Sequence, residues 1–152
     1  MSDSPAPSPD SATPKPGDGT AARTLDERLE RNGMRFEAGV LEQLVARSPE
    51  DPELLAALAQ SYAVLGEHGR GLELDQQLVT LRPEDDTFRY NLACSLCLVG
   101  ELDGACGELL AALDRGYRDF AHLLADDDLA ALRADARFGL VRDRMASLTR
   151  EH

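Results

Sequence analysis

The chain has 152 residues, the size of one domain, with 43% hydrophobic residues and a formal net charge of −12. So acidic a chain is ill suited to nucleic acid, whose phosphates call for Lys and Arg, and to an anionic membrane surface. Aromatic residues make up 5% and Trp is absent, so the core must be built mostly of Leu and Ala, which favours packed helices over sheets.

Residues 1–20 are rich in Pro, Ser, Asp and Gly and carry no large apolar side chain after Met1. Such a segment cannot bury enough surface to offset its ordering entropy, and a flexible tail is expected there. Met1 onward shows neither the basic start nor the apolar run of a secretory signal. No stretch approaches the roughly 20 apolar residues that span a bilayer. Three cysteines are an odd number for a disulfide framework. A cytoplasmic location follows as the expectation.

From Ala21 the pattern becomes helical. Leu25 and Leu29 form an i,i+4 pair, Asn32-Gly33 reads as a turn, and Val40, Leu41, Leu44 and Val45 form an apolar stripe. Residues 21–51 are therefore expected to be a helix pair, closed by Ser48-Pro49-Glu50-Asp51-Pro52. Two stronger pairs follow. Glu53 to Leu65 and Arg70 to Leu81 flank a turn at Gly66–Gly69, and Thr87 to Val99 and Leu102 to Leu113 flank Gly100-Glu101. Glycine suits both reversals because it accepts a positive φ. Gly66 to Gly100 and Pro49 to Pro83 are each 34 residues apart, a spacing that marks a repeated helix pair.

With that period, the chain resembles the tetratricopeptide-repeat (TPR) proteins. Tyr90, Asn91, Leu92 and Ala93 follow the family's aromatic-Asn-Leu-small pattern, with Gly100 in the turn and Ala105 and Ala112 at small crossing positions. In the preceding pair Leu58, Ala59 and Tyr62 fill the Leu, small and Tyr positions, with Gly66, Gly71 and Pro83 following. Leu55 and Arg89 stand where a large aromatic is usual, and so does Asp75. Gly116 to Val141 is similar to the segment that ends short bacterial arrays. There Asp126 to Asp128 and Asp135 are expected to cap short helices, the second carrying Phe138, Val141 and Met145. The resemblance implies an all-α fold, a short TPR-type α-solenoid with a C-terminal helical cap. Its parts are a degenerate pair over 21–51, repeats over 52–85 and 86–117, and a cap over 118–152.

Nothing in the sequence assembles a nucleophile, a base and an oxyanion hole, so an enzyme is not expected. Asp126-Asp127-Asp128 lacks the spacing and distal Glu of a Ca²⁺ loop. Cys94 and Cys97 make a C-x-x-C, but in mid-helix and without a histidine cluster or second C-x-x-C, so small packing or groove-wall residues are the expectation. No metal or cofactor is expected.

The resemblance implies a concave groove formed by the first helices of successive repeats. Its facing residues would be Ala56, Gln60 and Ala63 on one helix and Tyr90, Asn91, Cys94 and Cys97 on the next, with Tyr90 as the anchor. The bland alternative is that Tyr90 and Asn91 only stitch neighbouring repeats together. The expected partner is another protein, bound as a peptide or helix, and the acidity of the chain would favour a basic segment. Three alternatives stay open: a dedicated chaperone of a secretion or assembly system, a thiol- or metal-dependent sensor using Cys94 and Cys97, and a homo-oligomer.

Overall fold

A computed structural model describes residues 20–151, with side chains from Thr24 onward, and these residues are helical with no strand among them. The Pro/Ser-rich segment expected over 1–20 lies, except for Thr20, outside the described residues. The helices are α1 (Thr20–Arg47), α2 (Pro52–Leu65), α3 (His68–Leu81), α4 (Asp86–Leu98), α5 (Leu102–Asp114), α6 (Phe120–Ala125), α7 (Ala130–Arg133) and α8 (Phe138–Arg150). A 3-10 turn, Asp127–Leu129, precedes α7. Each helix from α1 to α4 packs on the next in sequence, and α8 returns to α5.

The helix pairs begin and end where local chemistry dictates. Asp51 accepts hydrogen bonds from the backbone N–H groups of Glu53 (3.0 Å) and Leu54 (3.4 Å), and Pro52 fills the first helical position. Asp85 starts α4 in the same way, accepting from Phe88 N–H at 2.9 Å. After α2, Gly66 takes φ +76°, and the Glu67 N–H bonds back to Tyr62 O at 2.9 Å. After α4, Gly100 takes φ +87°, and the Glu101 N–H bonds to Leu96 O, also at 2.9 Å. These left-handed closures satisfy orphan carbonyls at a backbone angle that a side chain would strain. The pairs recur at one offset: α2 and α4 begin 34 residues apart, and so do α3 and α5.

The helix pair expected over 21–51 is absent. Asn32-Gly33 makes no turn, and α1 runs unbroken through it for 28 residues. A Gly inside a helix costs about 1 kcal/mol relative to Ala. The surrounding Leu, Glu, Arg and Met residues are good helix formers and carry the helix through it. The expected stripe also divides. Met34, Ala38, Leu41 and Val45 pack on the core shared with Leu55, Leu58 and Tyr62. Leu25, Leu29, Phe36, Val40 and Leu44 lie on the opposite face, exposed. Polar contacts fix α1 to the next pair: Tyr62 donates to Glu42 at 2.7 Å, and Arg31 donates to Leu65 O at the end of α2 at 3.2 Å.

The core has two parts. One joins α1, α2 and α3 around Leu55, Leu58, Leu74 and Leu78. The other joins α4, α5 and the C-terminal segment around Leu109, Leu113, Leu123, Leu129, Leu132, Phe138 and Val141. Ala105 and Ala112 are fully buried in the second, so α5 can approach its neighbours closely. On α8, Phe138, Val141, Met145 and Leu148 form a buried helical stripe while Leu140 faces solvent. Phe138→Ala should therefore destabilise the fold by about 3–5 kcal/mol, and Leu140→Ala by no more than about 0.5 kcal/mol, in urea unfolding. Equal losses would show that α8 is not docked by this stripe.

Candidate functional site

A groove of about 310 Å³ runs between the first helices of the two pairs. Ala56, Gln60 and Ala63 of α2 form one wall, and Tyr90, Asn91, Cys94 and Ser95 of α4 form the other. His68, Gly71 and Asp75 of α3 lie between them, and His122, Asp126 and Asp128 of the C-terminal segment close one end. A Cβ at Gly71 would sit 3.9 Å from Ala59 O, an ordinary contact, so this crossing needs a small side chain and not the absence of one. Six of the seven residues expected to face the groove line it. Cys97 does not. It is 3% exposed, packed in the core against the backbone of Ala131 and Leu132.

Tyr90 lines the groove but does not project into it as an anchor, being 4% exposed. Its ring stacks on Tyr117 with centroids 4.4 Å apart and planes 5° from parallel. Its hydroxyl donates to Asp126 Oδ2 at 2.7 Å. Tyr90 thus ties α4 to the end of α5 and to the turn before the 3-10 segment. Gln60, Ala63 and Asn91 are the exposed members of the expected set.

Asp126 has more than the capping role expected of it. Its Oδ1 accepts from the Asp128 N–H at 3.0 Å, which caps the 3-10 turn. Its Oδ2 meets the Tyr90 hydroxyl, the Cys94 Sγ at 3.7 Å and the His122 Nε2 at 3.3 Å. Asp135 does not cap α8 as expected: its Oδ1 accepts from the Arg137 N–H at 2.9 Å, in the turn before the helix, and Arg137 at the N-cap of α8 makes no side-chain cap. Asp119, which caps α6 through the His122 N–H at 3.1 Å, went unread in the sequence.

Burial pushes all three thiols up. At Cys94 the carboxylates of Asp126 and Asp128 push the same way. None of the three is therefore activated as a thiolate nucleophile, and all are free of disulfides. Burial likewise raises the Tyr117 hydroxyl to about 12, and raises Tyr90 together with the Asp126 carboxylate beside it. Asp128 is raised by burial and by Asp126, while His68 and His122 act in the opposite sense.

Asp75 is the buried charged side chain among the described residues, 5% exposed, and its carboxylate accepts from the Ser95 hydroxyl across the α3–α4 contact. The groove contains Asp75, Asp126 and Asp128 with two histidines, and among the described residues no Lys or Arg lines it. Sequence reading missed His68, Asp75, His122, Asp126 and Asp128 as groove residues. Only the i,i+4 spacing of His122 and Asp126 carried a local hint, because Asp126 meets Tyr90 across 36 positions. No protein-family model matches the chain, and no curated protein is significantly similar to it.

Burial holds the Asp75 carboxyl at about 6, against 3.8 in an unfolded chain, with the Ser95 hydrogen bond opposing part of the shift. Because the folded value is the higher one, the penalty is absent below about pH 4 and grows as pH rises through 6. The difference is on the order of 3 kcal/mol at full ionisation. Asp75→Asn keeps an acceptor for Ser95 and removes the charge. It should stabilise the fold at pH 8 by roughly 1–3 kcal/mol, with the gain shrinking towards zero near pH 4. A gain that is the same at both pH values would show that the carboxyl is not the source.

Proposed function

We propose that this chain is a TPR-type protein-interaction module, a cytoplasmic adaptor or assembly scaffold without enzymatic activity, that receives a peptide or helix of a partner protein in the groove. The observation that carries the reading is the groove itself. It is open, lies between equivalent helices of two pairs offset by 34 residues, and collects Ala56, Gln60, Ala63, Tyr90, Asn91 and Cys94 on its walls. Small side chains on the α2 wall leave room for a bound backbone. Gln60 and Asn91 offer it donors and acceptors at exposed positions.

The lining also favours one sign of charge. With Asp75, Asp126 and Asp128 present and no Lys or Arg lining it among the described residues, a basic segment is the complementary partner. A clamp for carboxylates would need cations that these walls lack.

Self-association is a second reading, favoured by α1. Leu29 and Phe36 on its outer face are 59% and 75% exposed, and Leu25, Val40 and Leu44 continue the stripe. An apolar face of this kind is a candidate for symmetric pairing with a second copy. Phe36→Glu would shift such a dimer to monomer in sedimentation without touching the groove.

Capture of a partner from source-cell lysate tests the main reading, comparing wild type with a Gln60→Ala, Asn91→Ala double variant. Both residues are exposed, so the fold should survive, whereas Tyr90→Ala would remove a buried stack. The captured protein should be lost or weakened at least about tenfold by the variant, a change of about 1.4 kcal/mol. Its binding should also weaken as salt is raised. Undiminished capture by the variant would place binding on another face.

A further inference from the structure

The groove ends in a mixed set of donors, two of which also contribute to its acidic lining. The Cys94 Sγ and one carboxylate oxygen each of Asp126 and Asp128 lie within 4.8 Å of one another. His122 Nε2 sits 3.3 Å from Asp126 Oδ2. The donors come from separate places in the chain: Cys94 from the middle of α4, His122 from α6, and the two carboxylates from the turn that follows. Cys94 is 7% exposed, at the edge of the second core, and its sulfur lies 3.7 Å from Asp126 Oδ2. Asp128 accepts no hydrogen bond and makes no ion pair with Lys or Arg among the described residues.

We propose that Cys94, His122, Asp126 and Asp128 form a binding site for a zinc-class divalent cation at the closed end of the groove. The chemistry selects the class. One sulfur, one imidazole nitrogen and two carboxylate oxygens suit a borderline ion in a four-coordinate site. The thiol disfavours Ca²⁺ and Mg²⁺, which take all-oxygen sets. In a tetrahedral site with Zn–S of about 2.3 Å and Zn–N or Zn–O of about 2.1 Å, ligand atoms stand roughly 3.5 Å apart. Cys94 Sγ at 3.7 Å and His122 Nε2 at 3.3 Å already stand near that spacing from Asp126 Oδ2, and the Cys94, Asp126 and Asp128 donors are all within 4.8 Å of one another. The exposed His122 imidazole must turn inward to reach Cys94 and Asp128 as well, within the reach of side-chain rotation.

The surroundings hold the donors in place. Tyr90, pinned by its stack on Tyr117, donates to Asp126 Oδ2, and the Asp128 N–H holds Oδ1. Such outer hydrogen bonds orient metal ligands and tune their basicity. The ion has a way in, because the same side chains line the open groove. Once bound, it would join α4 to the C-terminal segment at the point where Tyr90 already joins them. The set differs from the C-x-x-C of the sequence, since Cys97 packs in the core and does not line the groove. The inference does not rest on the groove binding a protein.

Titration of the metal-free full-length chain with Co²⁺, followed by competition with Zn²⁺, tests it. One equivalent should bind and give the absorption of a tetrahedral site with a thiolate-to-cobalt charge-transfer band. Zn²⁺ should displace it and raise the melting temperature. The charge-transfer band should vanish in Cys94→Ser and persist in Cys97→Ser and Cys106→Ser. Asp128→Asn should weaken Co²⁺ and Zn²⁺ at least about tenfold while keeping the helical circular dichroism. Asp128 is only half-buried, so that variant decides the matter even if Cys94→Ser fails to fold. Absence of saturable binding, a charge-transfer band that survives Cys94→Ser, an octahedral cobalt spectrum or unchanged affinity in Asp128→Asn would each overturn the site.

Discussion

The carboxylate of Asp126 is the point on which the C-terminal half depends. It caps the turn that leads into α7, receives the hydroxyl of Tyr90 from α4, and touches His122 and Cys94. Tyr90 in turn lies flat against Tyr117, just beyond the left-handed Gly116 that ends α5. One hydrogen bond therefore fixes three segments that are remote in sequence. Its energetic importance comes less from the bond than from the alternative. A buried hydroxyl with no acceptor costs about 1–3 kcal/mol, so the turn and the ring must move together. The apolar stripe of α8 then covers the face that α5 would otherwise leave in water.

The N-terminal half is joined to this assembly less uniformly. Phe88 of α4 reaches into the first core, but beside it the α3–α4 contact carries Asp75 and Ser95. A buried carboxylate at this point costs stability near neutral pH, and an apolar residue would pack the interface better. The side chains involved also face the groove. Departures from good packing are expected at sites of function, where polar groups must be held ready for a ligand. The same reasoning covers the groove's closed end, where two half-buried carboxylates and a buried thiol crowd together.

What the sequence could convey follows from the range of each interaction. The turns at Gly66 and Gly100 are set within four or five residues, and they are where local reading places them. The buried stripe of α8 is equally local. Asn32-Gly33 misleads because a turn dipeptide only biases the backbone, and the good helix formers on either side outweigh it. Tyr90 and Cys97 mislead for a different reason. Both sit on a helix with apolar residues on several sides, and which side faces the groove depends on where the C-terminal segment docks. That docking rests on contacts 36 positions apart, between Tyr90 and Asp126, which no periodicity reveals. The five polar groove residues were invisible on the same ground.

Taken together, these contacts make the C-terminal segment a structural part of the groove as well as a cover for the array's end. If so, α6–α8 should open only when α4 and α5 open. Native-state hydrogen exchange tests this directly, by following the amides of Leu123, Leu132 and Val141 against those of Ala93 and Leu109 in wild type and in Tyr90→Phe. In the wild type the two sets should share one opening free energy. In the variant the C-terminal set should exchange more easily by about 1–2 kcal/mol while the α4–α5 set keeps the global value. Independent, low-energy opening of α6–α8 already in the wild type would contradict the account, and the groove would then have to be understood without its closed end.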